Sequence, residues 1–344
     1  MDYAKKLAEE FSVKELYAQN IISLLDEGNT IPFIARYRKE MHGTMDDQLI
    51  RSISDRLSFL RKLDERREEI RAAISSQEKM TDEISSALEK AVTLTELEDI
   101  YRPFRPKRKT RASAAKEKGL EPLSNEIFLC QSNNTDVMTL CEKYIDPEKG
   151  VNTAEEALCG AKDIIAESVS DNADVRRRVR NLVCLNGTVD CKAAGEEKSV
   201  YETYYDFSQA VGKIADHRVL AINRGEKEGF LKVSVSVDSE RPLNAVYSMF
   251  VKGECSCAAA VKEACEDAYS RLVFPSIERE IRNELTEKAD ESAIKVFGTN
   301  LRQLLLQPPI KGKTAIGLDP GYRTGCKVAV VDPTGKVLDT AVIY

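Results

Sequence analysis

The chain contains no tryptophan, and aromatic residues make up only 6% of its 344 positions, which argues against an aromatic-rich surface for stacking bases. Histidine is scarce as well, with His42 and His217 far apart. The nine cysteines include no Cys-x-x-Cys pair. The closest spacing, Cys255-Ser256-Cys257, is too tight for a zinc knuckle and has no histidine near it. We therefore expect the cysteines to pack as small apolar residues in a reducing compartment, with no metal or cofactor bound. The N-terminal MDYAKKLAEEF is charged and amphipathic rather than signal-like, and no apolar run approaches membrane-spanning length. A cytoplasmic chain with no membrane partner is the expectation.

What is present describes an ordinary globular protein tilted toward charge. Hydrophobic residues are 42% and charged residues 31%, enough for two or three domains with substantial cores. The formal net charge is −6, so the chain as a whole is no basic coat for nucleic acid, and such binding would have to use local patches.

The first half is patterned as helices. Residues 14–27 carry Leu16, Ile21, Leu24 and Leu25 at helical spacing and stop at Gly28. Thr30 is placed to cap a second, short helix with Pro32 in its first turn. Two helices across a glycine-containing turn predict a helix-turn-helix. Its second element, PFIARYRKE, offers Arg36, Arg38 and Lys39 around Tyr37, either as a phosphate-contacting edge or as solvated cations on a packing hairpin. A long helix from about Asp46 keeps Leu49, Ile53, Leu57, Leu60, Leu63, Ile70 and Ile74 on one stripe. Its DERREEIR segment reads as a solvated outer face with Asp64–Arg67 and Glu68–Arg71 pairs. A helix over 80–92 follows, with Ile84, Leu88 and Val92 on one side.

The strongest local charge feature is the run from Tyr101 to Arg111, where Arg102, Arg105, Lys107, Arg108, Lys109 and Arg111 occur without an acid among them. Pro103 and Pro106 forbid a regular helix, so the run is expected to be extended or turn-like until Thr110 caps a helix ending at Gly119. Phosphate backbone, an acidic protein surface and plain solvent are the three environments that suit it. Tyr101 and Phe104 are expected to pin the loop to neighbouring helices. Because Arg36, Arg38 and Lys39 share their neighbourhood with Glu40, Asp46 and Asp47, nucleic-acid affinity is expected to depend on the 102–111 run more than on the helix-turn-helix.

Beyond Pro122, helices are predicted over 137–144 and 153–169, the second capped by Asn152-Thr153 with Glu155 and Glu156 in its first turn. A further helix over 174–185 carries Arg176, Arg177, Arg178 and Arg180, read as a solvated basic face. Strands are predicted over 188–193 and 231–237, with a helix between them over 215–230 that bends near Arg224-Gly225. Residues 258–306 return to helix, interrupted at Pro275, and Pro308–Gly312 reads as a linker.

The last residues, from Lys313 to Tyr344, contain three strand-like runs: 315–318, 326–331 and 337–343, with a turn at Pro333 and Gly335 between the last two. A meander of this kind has a face to cover, and we expect the chain to stop inside this domain. The first run ends in Asp319-Pro320-Gly321. A carboxylate there is where RNase H-like nucleases and resolvases place their first metal ligand, but two-metal hydrolysis needs several carboxylates. Asp332 and Asp339 sit at turn-flanking or solvent-facing positions. Asp319 is expected to be a vestigial acidic position rather than a catalytic one.

Five runs in this order, GNTIPFIARYRKE, LEDIYRPFRPKRKTRASAAKEKGLEPL, HRVLAINRGEKEG, FGTNLRQLLLQPP and GLDPGYRTGCKVAVVD, give the chain a resemblance to the Tex family of bacterial transcription accessory proteins. The resemblance implies a mostly helical protein with a helix-turn-helix-containing N-terminal part and a YqgF-type, RNase H-like domain. Helix-hairpin-helix elements and a C-terminal OB-fold, to which RNA binding is mainly attributed, would follow. It also implies that the YqgF-like domain keeps no working nuclease set.

The sequence thus leads to a mainly α, multi-domain chain with small β insertions and the first three strands of an RNase H-like α/β domain. The domains are a helical region with helix-turn-helix and basic loop over 1–120, a helical central region with short strands over 121–308, and the start of the YqgF-like domain over 313–344. The expected function is non-catalytic binding of RNA or DNA through the phosphate backbone. RNA polymerase or the ribosome are the candidate protein partners. A metal-dependent nuclease or resolvase and a protein-docking scaffold are the alternatives.

Overall fold

The computed structural model describes residues 2–106, 109–132, 135–308, 311–321, 323 and 325–344. Its first part is seven helices: α1 (Tyr3–Phe11), α2 (Glu15–Asp26), α3 (Ile31–Tyr37), α4 (Lys39–His42), α5 (Asp47–Ser75), α6 (Asp82–Lys90) and α7 (Leu94–Tyr101). Gly28 closes α2 with a φ of +82°, the left-handed conformation that a helix terminus demands and glycine adopts freely. Pro32 stands in the first turn of α3 as predicted, but the Thr30 side chain makes no capping bond. At the start of α5 the Asp46 carboxylate does cap, accepting from Leu49 N at 2.8 Å.

Helix α5 serves two cores in succession. Its first half, with Ile50, Ile53, Leu57 and Leu60, closes over Leu7, Ala18, Ile21 and Ile34. Its second half, with Leu63, Ile70 and Ile74, packs with Leu88 and Leu97. The stripe read from the sequence is the buried one. Three details differ. Leu16, on the outer side of α2, is 66% exposed, and Val92, 60% exposed, lies beyond the end of α6 at Lys90 rather than on a helix face. Asp64–Arg67 and Glu68–Arg71 do pair, yet Arg67 is only 7% exposed and not part of a solvated face. Its guanidinium donates to the Leu88 and Ala91 carbonyls at 2.8 and 3.0 Å. The end of α6 has carbonyls without helical partners, and Arg67 supplies the donors.

The central region contains α8 (Arg111–Glu117), α9 (Glu121–Leu129), α10 (Val137–Glu142), α11 (Ala154–Asp171), α12 (Ala173–Asn186), β1 (Thr188–Ala193), β2 (Asp206–Ala210), α13 (Asp216–Lys227), β3 (Leu231–Ser236), α14 (Glu240–Phe250), α15 (Ser256–Asp267) and α16 (Phe274–Leu305). One continuous core joins them, running from Ala112 to Ala289. The antiparallel sheet has the order β2-β1-β3. In its middle strand Val189 and Cys191 point inward, opposite Val235 and Val233 of β3. No bend occurs at Arg224-Gly225: α13 runs through, and the buried Gly225 packs so closely that a Cβ there would lie 2.5 Å from Leu231 Cδ1. Nor does Pro275 interrupt the last helix. The chain passes from α15 into α16 through a π-helical turn, Ala268–Val273, and Pro275 follows directly on that widened turn, as the second residue of α16.

After α16 comes a second antiparallel sheet, β4 (Ala315–Asp319), β5 (Cys326–Val331) and β6 (Val337–Ile343), in the order β4-β5-β6. The Asp332 carboxylate organises the β5–β6 turn, accepting from Thr334 N at 2.8 Å and Lys336 N at 3.0 Å. Every residue of β4 and β6 is exposed. Part of the linker read over 308–312, Pro309 and Ile310, lies outside the described residues.

Candidate nucleic-acid interface

Three clusters of cations compete for the role of interface, and the structure treats them differently. The first is on α3 and α4. Asn20 Nδ2 donates to Met41 O at 2.8 Å, and His42 Nε2 lies 3.1 Å from Ile34 O, which ties both short helices to α2 and to each other. That packing leaves Arg36, Arg38 and Lys39 in solvent together with Tyr37, 64% exposed. The Arg38 guanidinium lies 5.2 Å from the Phe33 ring centroid, and Phe33 and Tyr37 are 5.3 Å apart. A shallow cavity of about 530 Å³ opens on this face between Arg36, Lys39, Asp46 and Asp47. Among the described residues none of these three cations is ion-paired. The surface therefore offers free positive charge beside an aromatic face.

The second cluster is the 102–111 run. Here α7 tightens into a 3₁₀ turn, Arg102–Phe104. Tyr101 and Phe104 pack on the second core, and Gln77 Nε2 donates to Phe104 O at 2.9 Å, pinning the loop as the sequence implied. Thr110 starts α8 with a capping box, its hydroxyl accepting from Ser113 N at 3.0 Å while Ser113 Oγ accepts from Thr110 N at 2.7 Å. Arg105, Lys109 and Arg111 are exposed, whereas Lys107 and Arg108 lie outside the described residues. Arg102 turns inward, 3.7 Å from Asp171. Burial, reinforced by the nearby Arg176 guanidinium, lowers its pKa below the ordinary arginine value. Lys109 Nζ is 3.8 Å from Glu117. The run is free of acids only along the chain. In space it rims a cleft of about 730 Å³ that also contains Glu98, Asp99, Glu167 and Glu280.

The third cluster, on α12, corrects the expectation of a solvated basic face. Arg177 and Arg178 are exposed, but the Arg176 side chain is wholly buried and that of Arg180 is only 13% exposed. Arg176 Nε donates to Asp99 Oδ1 at 2.6 Å, and its Nη2 donates to Ser276 Oγ at 3.1 Å and to Glu280. Arg180 Nη2 reaches Asp99 Oδ2 and Glu280 Oε2, both at 2.8 Å. Burial alone would raise the Glu280 pKa, but the Arg180 and Arg176 guanidiniums outweigh it and hold the carboxyl below its ordinary value. Two arginines and two acids thus lock α7, α12 and α16 together. The arginines flank the stripe Val175, Val179 and Val183, all buried. Their i, i+4 placement beside that stripe was the available signal that this face turns inward.

Asp319 ends β4, exposed, with Lys327 opposite it in the ladder. Asp332 is committed to its turn, and Asp339 is exposed with Oδ1 accepting from Thr340 N at 2.8 Å. Among the described residues no group of three or more His, Cys, Asp or Glu side chains is placed to hold a metal ion. No helix of the described residues is long and apolar enough to cross a membrane.

Fold and surfaces together define a mainly helical, multi-domain protein with a helix-turn-helix near one end and a small antiparallel sheet at the other. The chain belongs to the Tex family. Family models described as the Tex-like protein N-terminal domain, the Tex central region-like segment and the Tex protein YqgF-like domain match residues 1–75, 132–297 and 313–344. Among relatives, YdcI of Bacillus subtilis is 46% identical over 99% of this chain and 48% of its own length. Protein tex of Bordetella pertussis is 38% identical over 100% of the chain and 46% of its own length. The transcriptional accessory protein Tex of Neisseria gonorrhoeae is 35% identical over the same two shares, 100% and 46%. The chain therefore spans about half the length of the curated relatives it matches.

Proposed function

We propose that this chain is a non-catalytic, Tex-type transcription accessory factor that grips the phosphate backbone of RNA or DNA. The observation that supports this reading most is the trio Arg36, Arg38 and Lys39, exposed and unpaired around Tyr37 on the second element of the helix-turn-helix. Arg105, Lys109 and Arg111 extend the positive surface, while Arg102 serves the fold. The name of the Neisseria relative, a transcriptional accessory protein, agrees with this role. RNA polymerase and the ribosome are the protein partners it admits, and the cytoplasm is the compartment.

Phosphate contacts are electrostatic and insensitive to sequence, so log affinity falls linearly with log salt. Fluorescence anisotropy with single-stranded and duplex RNA and DNA at several salt concentrations tests the proposal. Salt-dependent binding that weakens when Arg36, Arg38 and Lys39 become Gln is the expected result, and unchanged binding by that variant would overturn the assignment of the surface. For the non-catalytic part, labelled single-stranded, duplex and four-way-junction substrates should stay intact in Mg²⁺ or Mn²⁺. Cleavage that disappears in Asp319→Asn would replace the binding role with a nuclease one.

A further inference from the structure

The cleft of about 730 Å³ lies where α7 and the Arg102–Phe104 turn meet the end of α11 and the start of α16. Nucleic-acid binding by the α3–α4 surface leaves it unused. Its volume suits a small organic ligand and far exceeds that of a single inorganic ion.

The acids of the cleft are already engaged. Glu98 accepts from Arg66 Nε at 2.7 Å, and Asp99 and Glu280 are each held by both Arg176 and Arg180. Glu167 and Asp171 are not free either.

The donors are not satisfied in the same way. The Arg102 side chain is 34% exposed, and the Asp171 carboxylate it faces is 3.7 Å away, beyond hydrogen-bonding distance. Among the described residues its guanidinium makes no hydrogen bond. Arg176 stands directly behind the wall, since its guanidinium is bonded to Asp99 and Glu280 and both of these line the cleft. Its Nη1 is buried with no acceptor. At the mouth, Arg105 is exposed and has no ion pair among the described residues, and Lys109 has Glu117 only at 3.8 Å. The Thr110 hydroxyl accepts from Ser113 N, which leaves its own O–H to donate.

A cleft whose carboxylates are occupied while its N–H and O–H groups lack acceptors is short of an anion. Leu94 and Leu272 line it too, an apolar patch that an inorganic ion would not use.

We propose that this cleft binds a nucleoside monophosphate. The phosphate, with about −1.5 to −2 charges at neutral pH, seats on Arg102. Arg105, Lys109 and the Thr110 hydroxyl close on it from the mouth, and the Arg176 charge reinforces it from behind the wall. The nucleoside lies against Leu94 and Leu272. None of these residues belongs to the α3–α4 surface, so the two sites can be separated by experiment.

The test is isothermal titration calorimetry of the folded full chain with AMP, GMP, CMP and UMP at constant ionic strength. The four nucleosides and inorganic phosphate serve as comparisons. At least one nucleotide should bind, more tightly than inorganic phosphate and more tightly than its own nucleoside. Arg102→Gln should weaken that nucleotide roughly 10- to 100-fold, the loss of a hydrogen bond between charged groups. Because Arg102 also supports the fold, Arg105→Gln and Lys109→Gln give a second reading from exposed positions, each weakening binding about two- to fivefold. Replacing Arg36, Arg38 and Lys39 by Gln should leave nucleotide affinity unchanged. The absence of binding by all four nucleotides would overturn the proposal, as would a nucleoside that binds as tightly as its nucleotide. Inorganic phosphate binding as tightly as the nucleotides would make a free oxyanion the occupant and overturn it as well. Unchanged affinity in the Arg105→Gln, Lys109→Gln double variant, or affinity lost with the α3–α4 cations, would remove the nucleotide from this cleft.

Discussion

The arginines of α12 and the cations of α3–α4 look alike along the chain, each a short helix segment dense in positive charge, yet they do opposite work. Arg176 and Arg180 are shut between three helices with Asp99 and Glu280. Arg36, Arg38 and Lys39 stand in water with no carboxylate partner among the described residues. The difference comes from what packs on the neighbouring stripe. The valines of α12 draw their helix into the core and carry two arginines with them. The stripe of α3 is short, with Ile34 its only buried side chain, so its cations are left outside.

The largest consequence of that contrast is in stability. Removing one member of a buried ion cluster strands the others, at a cost of about 3–5 kcal/mol. Arg176→Ala should lose that much in urea unfolding, whereas Arg36→Ala should change stability by no more than about 0.5 kcal/mol. Equal losses would break the comparison. Arg176→Lys should recover little, because an ammonium cannot reproduce the forked contacts to Asp99, Ser276 and Glu280.

Acid should separate the two regions next. The Glu280 carboxyl is held below its ordinary value of 4.5 in the folded chain. A depressed carboxyl stabilises the fold above its unfolded pKa and ceases to do so as pH falls through the folded value. Stability should therefore decline with acid below about pH 4.5, and Glu280→Gln should make that limb shallower in pH-dependent urea titrations. An unchanged limb would remove Glu280 from the account. Replacing Arg36, Arg38 and Lys39 should leave the limb as it is.

The smallest effect, and the most specific, is in the salt dependence of binding. Removing the cation that neutralises one phosphate should flatten the slope of log K against log salt by about 0.9 on duplex and 0.7 on single strands. Arg36→Gln, Arg38→Gln and Arg105→Gln should each do so, and Arg102→Gln should not, lowering stability instead. A flatter slope for Arg102→Gln would place that side chain on the nucleic acid rather than against Asp171.

Most elements with a clear period could be read from the chain. The stripe of α5, the alternation of β1 and β3, the cap at Thr110 and the terminal meander all express local rules, and the structure has them within a residue or so. What could not be read depends on distant partners. Strand β2, DFSQA, has little apolar alternation and exists because β1 offers it an edge. Helix α14 begins with Glu-Arg-Pro, and its packing on α12 and α15 is tertiary. Arg67 looked solvated because its acceptors, the Leu88 and Ala91 carbonyls, are in another helix. The candidate interface was legible as a list of cations, but the separation of Arg102 from Arg105, or of Arg176 from Arg177, was not, since acids from α7, α11 and α16 decide it.

The final helix has a mechanical consequence. Its buried side chains are Ile277, Ile281 and Ala289, and from Asp290 to Leu305 nothing on it is buried. That free stretch is a cantilever roughly 24 Å long at 1.5 Å per residue, rooted beyond the π-helical turn. A tilt of about 5° at the root moves the tip by about 2 Å over that length, so a small repacking around Ile277 is felt at the far end of the helix.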